Sequence, residues 1–289
     1  MPAGAPGKHG RLRLRFEQDG NGRSILRHLE RRAPLIVQQA LYFDEEWPQL
    51  PCVYILSSGG PNVDGDRYEQ EICLERGACA HVATGAATKL AEMRYNHSAL
   101  TQHLELDAEA YLEYLPEPVI PCLHARFVSD TRLTVHPTAT LLYAEIFTGG
   151  RKHYVRKEQF AYDVLSITTH GERPDGEQLF REKLVIAPAD HSPRALGVMA
   201  DYDVFANVLL LTPPEQAEAV YQQTEAFIDH RRLLAAGVTR LPSACGLLYK
   251  VLGMESEPVK RQVRTFASLV RQQVKGRPLP REFPWRGRL

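Results

Sequence analysis

Short apolar segments that alternate with polar residues recur along the first three quarters of the chain. Residues 11–16 alternate arginine with leucine or phenylalanine, a pattern that predicts a strand with one buried and one solvated face. Comparable segments, separated mostly by Gly, Pro, Asp or Asn turns, lie at residues 35–37, 53–56, 69–74, 78–83, 103–106, 111–115, 132–135, 140–147, 160–167 and 184–186. This spacing predicts an all-β sandwich, barrel or stacked-strand architecture, because alternating parallel strands would need helices of about 10–15 residues between them.

The pattern changes to helical spacing near residue 213. The first helical segment opens at Pro213 and Pro214 and ends near Gly237, with apolar or small residues at Ala217, Val220, Tyr221, Thr224, Phe227 and Ile228. The second starts at Glu257 and ends before Gly276, with a predicted buried face of Val259, Val263, Phe266, Leu269, Val270 and Val274. Arg264 and Arg271 lie outside that face and are expected to be exposed.

The two patterns together predict a mainly β fold of stacked sheets with two α-helices near the C-terminus. Residues 1–10, rich in Gly and Pro, are expected to form a flexible leader. Residues 11–289 are expected to form a single domain, with a β body at 11–212 and a helix-strand-helix closing element at 213–289. Two helices and one strand bury too little surface to fold alone, so we expect them to pack on the β body.

Composition narrows the classes of partner. The 289 residues contain 35 Lys and Arg and 35 Asp and Glu, so no overall field attracts nucleic acid or an anionic membrane. The N-terminus lacks the apolar run of a signal peptide, and no stretch approaches the roughly 18 apolar residues of a membrane span. These features predict a cytoplasmic protein. The five cysteines are scattered without a CxxC pair, which argues against disulfides and a structural zinc site.

The usual catalytic signatures are missing from the sequence. It contains no GxSxG, HExxH, P-loop or dinucleotide-binding motif, which lowers the expectation of an enzyme. One alternative stays open, a metal-dependent β-fold enzyme. Cys79 and His81 are two apart on a predicted strand, so they share a face and could bind a soft metal with a carboxylate. A packed interior face explains the same pair.

The segment at residues 57–89 combines a Gly-rich acidic turn with a Thr-Lys pair. Asp64 and Asp66 either bond the backbone of that turn or line a polar passage. Small residues precede Thr88 and Lys89 and permit close approach of another backbone, so the Lys89 ammonium is either held or solvated.

Three further carboxylates lie in or beside strand-like segments. Glu145 is surrounded by apolar residues, so it lies either on a wet strand face or buried with a partner. Asp163 has a similar context. Glu182 is flanked by Arg181 and Lys183, which could neutralise it.

An ordered set of short motifs spans most of the chain. They are residues 34–38, Gly59-Gly60, Gly65-Asp66, residues 86–89, Ala99, Gln102, residues 112–121, Glu145, Gly150-Arg151, Leu241-Pro242, Gly246 and Leu252-Gly253. In this set and order the chain resembles the UreD/UreH family of urease accessory proteins. It departs from the family at residues 151–158, a longer and basic hairpin in which Lys157 replaces a glycine.

The resemblance implies stacked sheets with a β-helical course, a pair of helices and a role without catalysis. It implies a scaffold that, with UreF and the GTPase UreG, delivers nickel to the urease apoprotein, with Ni²⁺ only in transit and no stable metal site. Thr88, Lys89, Glu145 and Glu182 would line an internal polar passage, with Lys89 facing Glu145 or Glu182. A pure adaptor without a passage for metal remains an alternative.

Overall fold

The computed structural model describes residues 7–280, and these form a mainly β structure with two α-helices. The strands are β1 (His9–Gln18), β2 (Ser24–Arg32), β3 (Leu35–Ile36), β4 (Cys52–Ser57), β5 (Arg67–Leu74), β6 (Cys79–Thr84), β7 (Thr88–Leu90), β8 (Ser98–Leu106), β9 (Tyr111–Tyr114), β10 (Val119–Pro121), β11 (Arg126–Val135), β12 (Thr140–Thr148), β13 (Gly150–Arg151), β14 (Glu158–Gln159), β15 (Val164–Glu172), β16 (Gln178–Ile186), β17 (Val204–Leu211), β18 (Phe227–Asp229), β19 (Leu234–Arg240) and β20 (Gly246–Gly253). The helices are α1 (Pro214–Gln222) and α2 (Ser256–Lys275), and a short 3₁₀ turn lies at Pro242–Ala244.

Two large sheets carry most of these strands. The seven-stranded sheet has the order β16-β15-β11-β8-β5-β1-β2. The eleven-stranded sheet has the order β18-β19-β20-β17-β12-β9-β6-β4-β3, with β10 beside β12 and β7 beside β10. The hairpin of β13 and β14 forms a small third sheet. The predicted fold class, stacked sheets with two helices, is therefore confirmed.

The central strands of both sheets are parallel, although no helices connect them. β1, β5, β8, β11 and β15 pair in parallel in the first sheet, and β4, β6, β9 and β12 do so in the second. From β4 to β12 the chain passes repeatedly between the two sheets, so each crossover between parallel neighbours runs through a strand of the opposite sheet, in some cases together with the short strands β7 or β10. Parallel pairs need a long crossover of any kind, not a helix. The expectation that parallel strands require helices was wrong, and the β-helical course is present.

Apolar side chains fill the space between the sheets in two clusters. The first includes Leu12, Leu104 and Leu133, and the second includes Phe127, Leu165 and Phe147. A third cluster packs α1 and α2 on the outer face of the eleven-stranded sheet, through residues such as Val263 and Phe266. The outer face of β12, β17 and β20 is therefore covered, and their inner face meets the seven-stranded sheet.

The two predicted helices differ in how well the sequence located them. α2 ends as expected at Gly276, whose φ of 70° is the left-handed conformation that glycine adopts readily. α1 ends at Gln222 rather than near Gly237, so that part of the prediction was wrong. Phe227 and Ile228 belong to β18, which pairs with β19 and extends the sheet. Strand pairing at the sheet edge thus overrides the helical spacing.

The N-terminal boundary also differs from expectation. β1 begins at His9, and the Lys8 backbone N–H donates to Asp66, so residues 8–10 of the predicted leader are part of the β structure. Residues 1–6 and 281–289 lie outside the described residues. Between residues 7 and 280, neither helix combines the length and apolar character that crossing a membrane requires.

Candidate functional site

A row of polar side chains crosses the inner face of the seven-stranded sheet. Strand pairing places Gln70 beside Gln102, Gln102 beside Thr131, Thr131 beside Thr169, and Thr169 beside Glu182. All but Glu182 are buried. Paired residues in adjacent strands point to the same face, so the five side chains form one continuous line.

Polar side chains of the eleven-stranded sheet face this row. Tyr114 pairs with Tyr143, and two residues further along β12, Glu145 pairs with Asn207, which in turn pairs with Lys250. We call the two facing rows the polar seam. Its members are Gln70, Gln102, Tyr114, Thr131, Tyr143, Glu145, Thr169, Glu182, Asn207 and Lys250. The seam lies between the two apolar clusters that fill the space between the sheets.

Gln102 is the centre of a hydrogen-bond network in the part of the seam that lies away from Glu182. Its amide nitrogen donates to Gln70 Oε1 at 3.0 Å and to the Tyr114 hydroxyl at 2.8 Å. Its carbonyl oxygen accepts from Thr131 at 3.2 Å and from the Tyr143 hydroxyl at 3.1 Å. Every polar atom of this buried amide is engaged, so the network holds the two sheets in a fixed alignment.

Glu145 lies where the hydrogen-bond network around Gln102 ends and the part of the seam with the carboxylates Glu145 and Glu182 begins. It lies on the inner face of β12, where Tyr143 donates a hydrogen bond to Oε1 at 2.9 Å. Burial raises the pKa of Glu145 to about 7, the Tyr143 hydrogen bond opposes that rise, and the charge of Glu182 adds to it. Glu145 is therefore inward and partnered, which settles the two possibilities that the sequence left open.

This raised pKa predicts a pH-dependent stability. The folded form binds the Glu145 proton more tightly than the unfolded chain, so its contribution is present below about pH 4.5 and is lost as the pH rises through about 7. Relative to wild type, Glu145→Gln should gain about 1–3 kcal/mol of unfolding free energy between pH 5 and pH 8. Urea unfolding at the two pH values measures this gain, and an equal difference at both would contradict it.

Lys89 and Thr88 are separate from the polar seam. Both are in β7, which pairs with β10, and Lys89 is exposed. Lys89 lines a surface cavity of about 210 Å³ together with Arg151, Arg156 and Glu158. The predicted pairing of Lys89 with Glu145 or Glu182 was wrong. Lys250 of β20 is the lysine that contacts Glu182, with Nζ 3.0 Å from Oε1.

The two aspartates of the Gly-rich turn have structural bonds. Asp64 accepts hydrogen bonds from the backbone N–H groups of Arg94, Tyr95 and Asn96. Burial would raise the pKa of Asp64, but these three donors hold it below its ordinary value. Asp66 is fully buried and accepts from the Val63 and Lys8 backbones and the Tyr68 hydroxyl. Only Asp66 bonds the backbone of its own turn, through Val63, whereas Asp64 ties the turn to the segment at residues 94–96.

Asp163 also lies away from the polar seam. It precedes β15 and contacts His124 Nδ1 at 2.9 Å and Arg126 Nε at 2.7 Å. Burial would raise its pKa, but these two partners lower it overall. Its similarity to Glu145 in sequence context does not extend to position in the fold.

Cys79 and His81 share a face of β6, as predicted, and it is the outer face of the eleven-stranded sheet. His81 Nδ1 lies 2.8 Å from Glu113 Oε2, and the Tyr111 hydroxyl donates to Glu113 Oε1 at 2.6 Å. Burial raises the pKa of the Cys79 thiol, and that of Cys52 to about 12. Metal binding needs a thiolate, which these values oppose. Within residues 7–280, no group of three or more His, Cys, Asp or Glu side chains could hold a metal.

A fully buried arginine completes this outer cluster. Arg271 of α2 was expected to be exposed, but its side chain is inaccessible and lies 2.6 Å from Asp44 and 3.4 Å from Glu113. Burial would raise the pKa of Glu113, but the His81 hydrogen bond and the Arg271 charge lower it overall. The Trp47 ring covers the guanidinium at 5.2 Å. The C-terminal half of α2 is thus held to the sheet by ionic contacts.

Sequence reasoning missed most of the polar seam. Gln70, Thr131, Tyr143, Thr169, Asn207 and Lys250 were not singled out, and Gln102 was noted only as part of the family resemblance. One signal was available: Gln102 has Leu100 and Leu104 at the adjacent positions of the same face. A polar residue at an inward position of a strand indicates a buried hydrogen-bond network.

The sequence matches known proteins along nearly its whole length. A family profile described as "UreD urease accessory protein" matches residues 8–286. Urease accessory protein UreD 2 of Brucella suis biovar 1 is 47% identical over 285 residues, which cover 99% of this chain and 94% of the relative. Urease accessory protein UreD of Yersinia enterocolitica is 43% identical over 292 residues, which cover 99% and 89%. The chain therefore belongs to the UreD family of urease accessory proteins, which are maturation factors rather than enzymes.

Proposed function

We propose that this urease accessory protein delivers nickel to apo-urease together with UreF and UreG, and that the polar seam is the route of the ion. The main support is the position of Glu145 and Glu182 at one end of a polar layer between two apolar clusters. The partners come from the family resemblance. We also predict that delivery takes place in the cytoplasm.

The ligands that the seam offers suit transient binding of nickel rather than its storage. The part of the seam with Glu145 and Glu182 offers carboxylate and amide oxygens, which bind a borderline dication more weakly than a cage of thiolates does. An ion path requires binding that is favourable enough for entry and weak enough for release. The charge of Glu182 raises the pKa of Glu145, so the two carboxylates lie within range of each other's charge. Together they attract a dication without forming a complete coordination shell.

The direct test is urease maturation with and without this chain. Urease subunits, UreF and UreG are co-expressed in nickel-supplied cells, and the nickel content and activity of purified urease are measured. We expect both to fall strongly when the chain is omitted, and we expect the chain to co-purify with UreF and apo-urease. Equal nickel content in both cultures would contradict the proposal.

The second candidate function is a pure adaptor that holds the partners together without carrying nickel. The buried contacts of Gln102 favour it in one respect, because a rigid polar network also stabilises a scaffold. The adaptor predicts that changes to Glu145 and Glu182 are silent in nickel loading. The nickel route predicts that they are not.

A further inference from the structure

The hairpin at residues 151–158 has a rigid base on the side of Arg151. The Arg151 guanidinium donates to Glu158 Oε1 at 2.7 Å and to Glu158 Oε2 at 2.8 Å, and the backbone N–H of Leu123 donates to the same carboxylate at 3.1 Å. Arg151 also lies over the Tyr154 ring, 4.0 Å from its centroid. A bidentate pair fixes orientation as well as charge, so Arg151 and Glu158 neutralise each other within the hairpin.

Lys152 ties the hairpin to the segment in front of α2. Its Nζ lies 2.6 Å from Glu255 Oε1 and 3.2 Å from Asp203 Oδ2, and its side chain is only 16% exposed. The neighbouring His153 contacts Glu255 Oε2 at 3.2 Å. The charge of Lys152 is therefore used inside the chain, and these contacts fix the direction in which the tip of the hairpin projects.

The tip of the hairpin carries two cations without a counter-ion among the described residues. Arg156 and Lys157 are exposed, and between residues 7 and 280 neither side chain forms an ion pair or a hydrogen bond. Val155 precedes them and is 93% exposed. These three side chains therefore stabilise the folded chain little and are available to a partner.

A surface cavity of about 210 Å³ opens beside the tip, and its lining includes Lys89, Arg151, Arg156, Glu92 and Glu158. Of its two carboxylates, Glu158 is already paired, and Glu92 lies 3.2 Å from Arg94. Lys89 is exposed, and like Arg156 its side chain has no ion pair or hydrogen bond within the described part of the chain. Two unpaired cations therefore line a concave surface that admits a carboxylate side chain.

We propose that Lys89, Val155, Arg156 and Lys157 form a docking surface for an acidic segment of a protein partner. A carboxylate of that segment enters the cavity between Lys89 and Arg156. A second acidic side chain pairs with Lys157, and an apolar side chain covers Val155. The rigid base of the hairpin limits the conformational entropy that is lost on binding, and the unpaired cations attract the acidic segment. The inference rests on the proposed function only for the choice of partner proteins.

Nucleic acid suits the docking surface less well than a protein does. Its binding depends on many phosphate contacts, and the surface offers three cations in a chain whose 35 basic and 35 acidic residues balance. The exposed Val155 gains nothing from a phosphate backbone, whereas apolar side chains and arginine occur together in protein interfaces.

The test measures the affinity of purified UreF, UreG and apo-urease, each separately, for the immobilised full chain at low and at high NaCl concentration. Wild type is compared with the double variant Arg156→Glu with Lys157→Glu, and with Lys89→Glu, which leaves the hairpin unchanged. We expect the double variant to weaken the binding of one partner at least about tenfold and to reduce its salt dependence. Lys89→Glu should weaken the binding of the same partner. Thermal melts verify that the variants are folded.

The matched control is Arg231→Glu with Arg232→Glu, which reverses two adjacent exposed arginines between β18 and β19. It should bind all three partners as wild type does. Unchanged affinity of the Arg156 and Lys157 double variant for all three partners would overturn the inference, and so would an equal loss in the control. Affinity for a single-stranded oligonucleotide that falls while the protein affinities stay unchanged would identify nucleic acid as the ligand instead.

A photo-crosslinking amino acid in place of Val155 identifies the segment that docks. Mass spectrometry of the cross-linked complex should give a peptide with more Asp and Glu than Lys and Arg, and a peptide without that excess would contradict the inference. The nickel content of urease is a separate readout. Normal nickel loading of urease without this chain would contradict the proposed function and leave the docking result standing.

Discussion

Replacing Arg271 with methionine should lower the free energy of unfolding by about 3–5 kcal/mol. The substitution preserves much of the aliphatic volume but leaves Asp44 and Glu113 buried without their cation, and both side chains are completely inaccessible. Removing one member of a buried ionic cluster costs more than the cluster contributes, because the remaining charges cannot be solvated. Urea unfolding at pH 7, followed by circular dichroism, measures the loss.

Two controls separate the ionic effect from helix damage. Arg261→Met changes an exposed arginine of the same helix and should alter stability by less than about 0.5 kcal/mol. Arg271→Lys keeps the charge but not the planar fork that reaches both carboxylates, and it should recover only part of the loss. A change below about 1 kcal/mol for Arg271→Met would show that the cluster is not a stabilising anchor of α2.

Replacing Gln102 with leucine should lower the free energy of unfolding by about 2–4 kcal/mol. Leucine fills a similar volume but removes the partner of four side chains, namely Gln70, Tyr114, Thr131 and Tyr143. Some of these retain other bonds, such as Thr131 with Tyr143 at 3.2 Å, which limits the loss. Urea unfolding is again the measurement.

The matched control is Thr101→Val, at the adjacent exposed position of β8, which should be nearly neutral. A double-mutant cycle with Gln70→Leu adds a stricter requirement. Because the two amides bond each other at 3.0 Å, the double variant should lose less than the sum of the single variants. Strict additivity would mean that the seam is a set of independent polar residues rather than a network.

Local sequence periodicity located the elements better than it located their connections. The alternation in β1 and the apolar face of α2 were predicted correctly, because both depend on neighbours along the chain. The parallel pairing of β5, β8 and β11 depends on residues about 30 positions apart, whose register no local pattern specifies. The end of α1 was missed for the same reason, since β18 competes for its apolar residues.

In the candidate site, too, local sequence context identified some residues but not how the fold brings them together. Glu145 was noted for its apolar context and Glu182 was added by the family resemblance, and the structure brings their charges close enough for Glu182 to raise the pKa of Glu145. Lys89 was placed beside them by the family resemblance of the segment at residues 86–89, yet β7 carries it to a surface cavity. Lys250 and Asn207 are unremarkable in sequence and gain their position from the pairing of β12, β17 and β20. Arg271 was expected to be exposed because it lies outside the predicted apolar face of the helix, and Asp44, which pairs with it in the interior, is far away in the sequence.

The nickel content of urease matured with seam variants shows whether nickel reaches urease through the polar seam. Urease is matured with UreF, UreG and either wild type, Glu145→Ala with Glu182→Ala, or the exposed control pair Glu105→Ala with Glu225→Ala. The nickel content of each purified urease is then determined, and co-purification with UreF is verified in each case. We predict a several-fold loss of nickel for the seam variant alone, with its UreF complex intact. Full nickel content with the seam variant would contradict the claim.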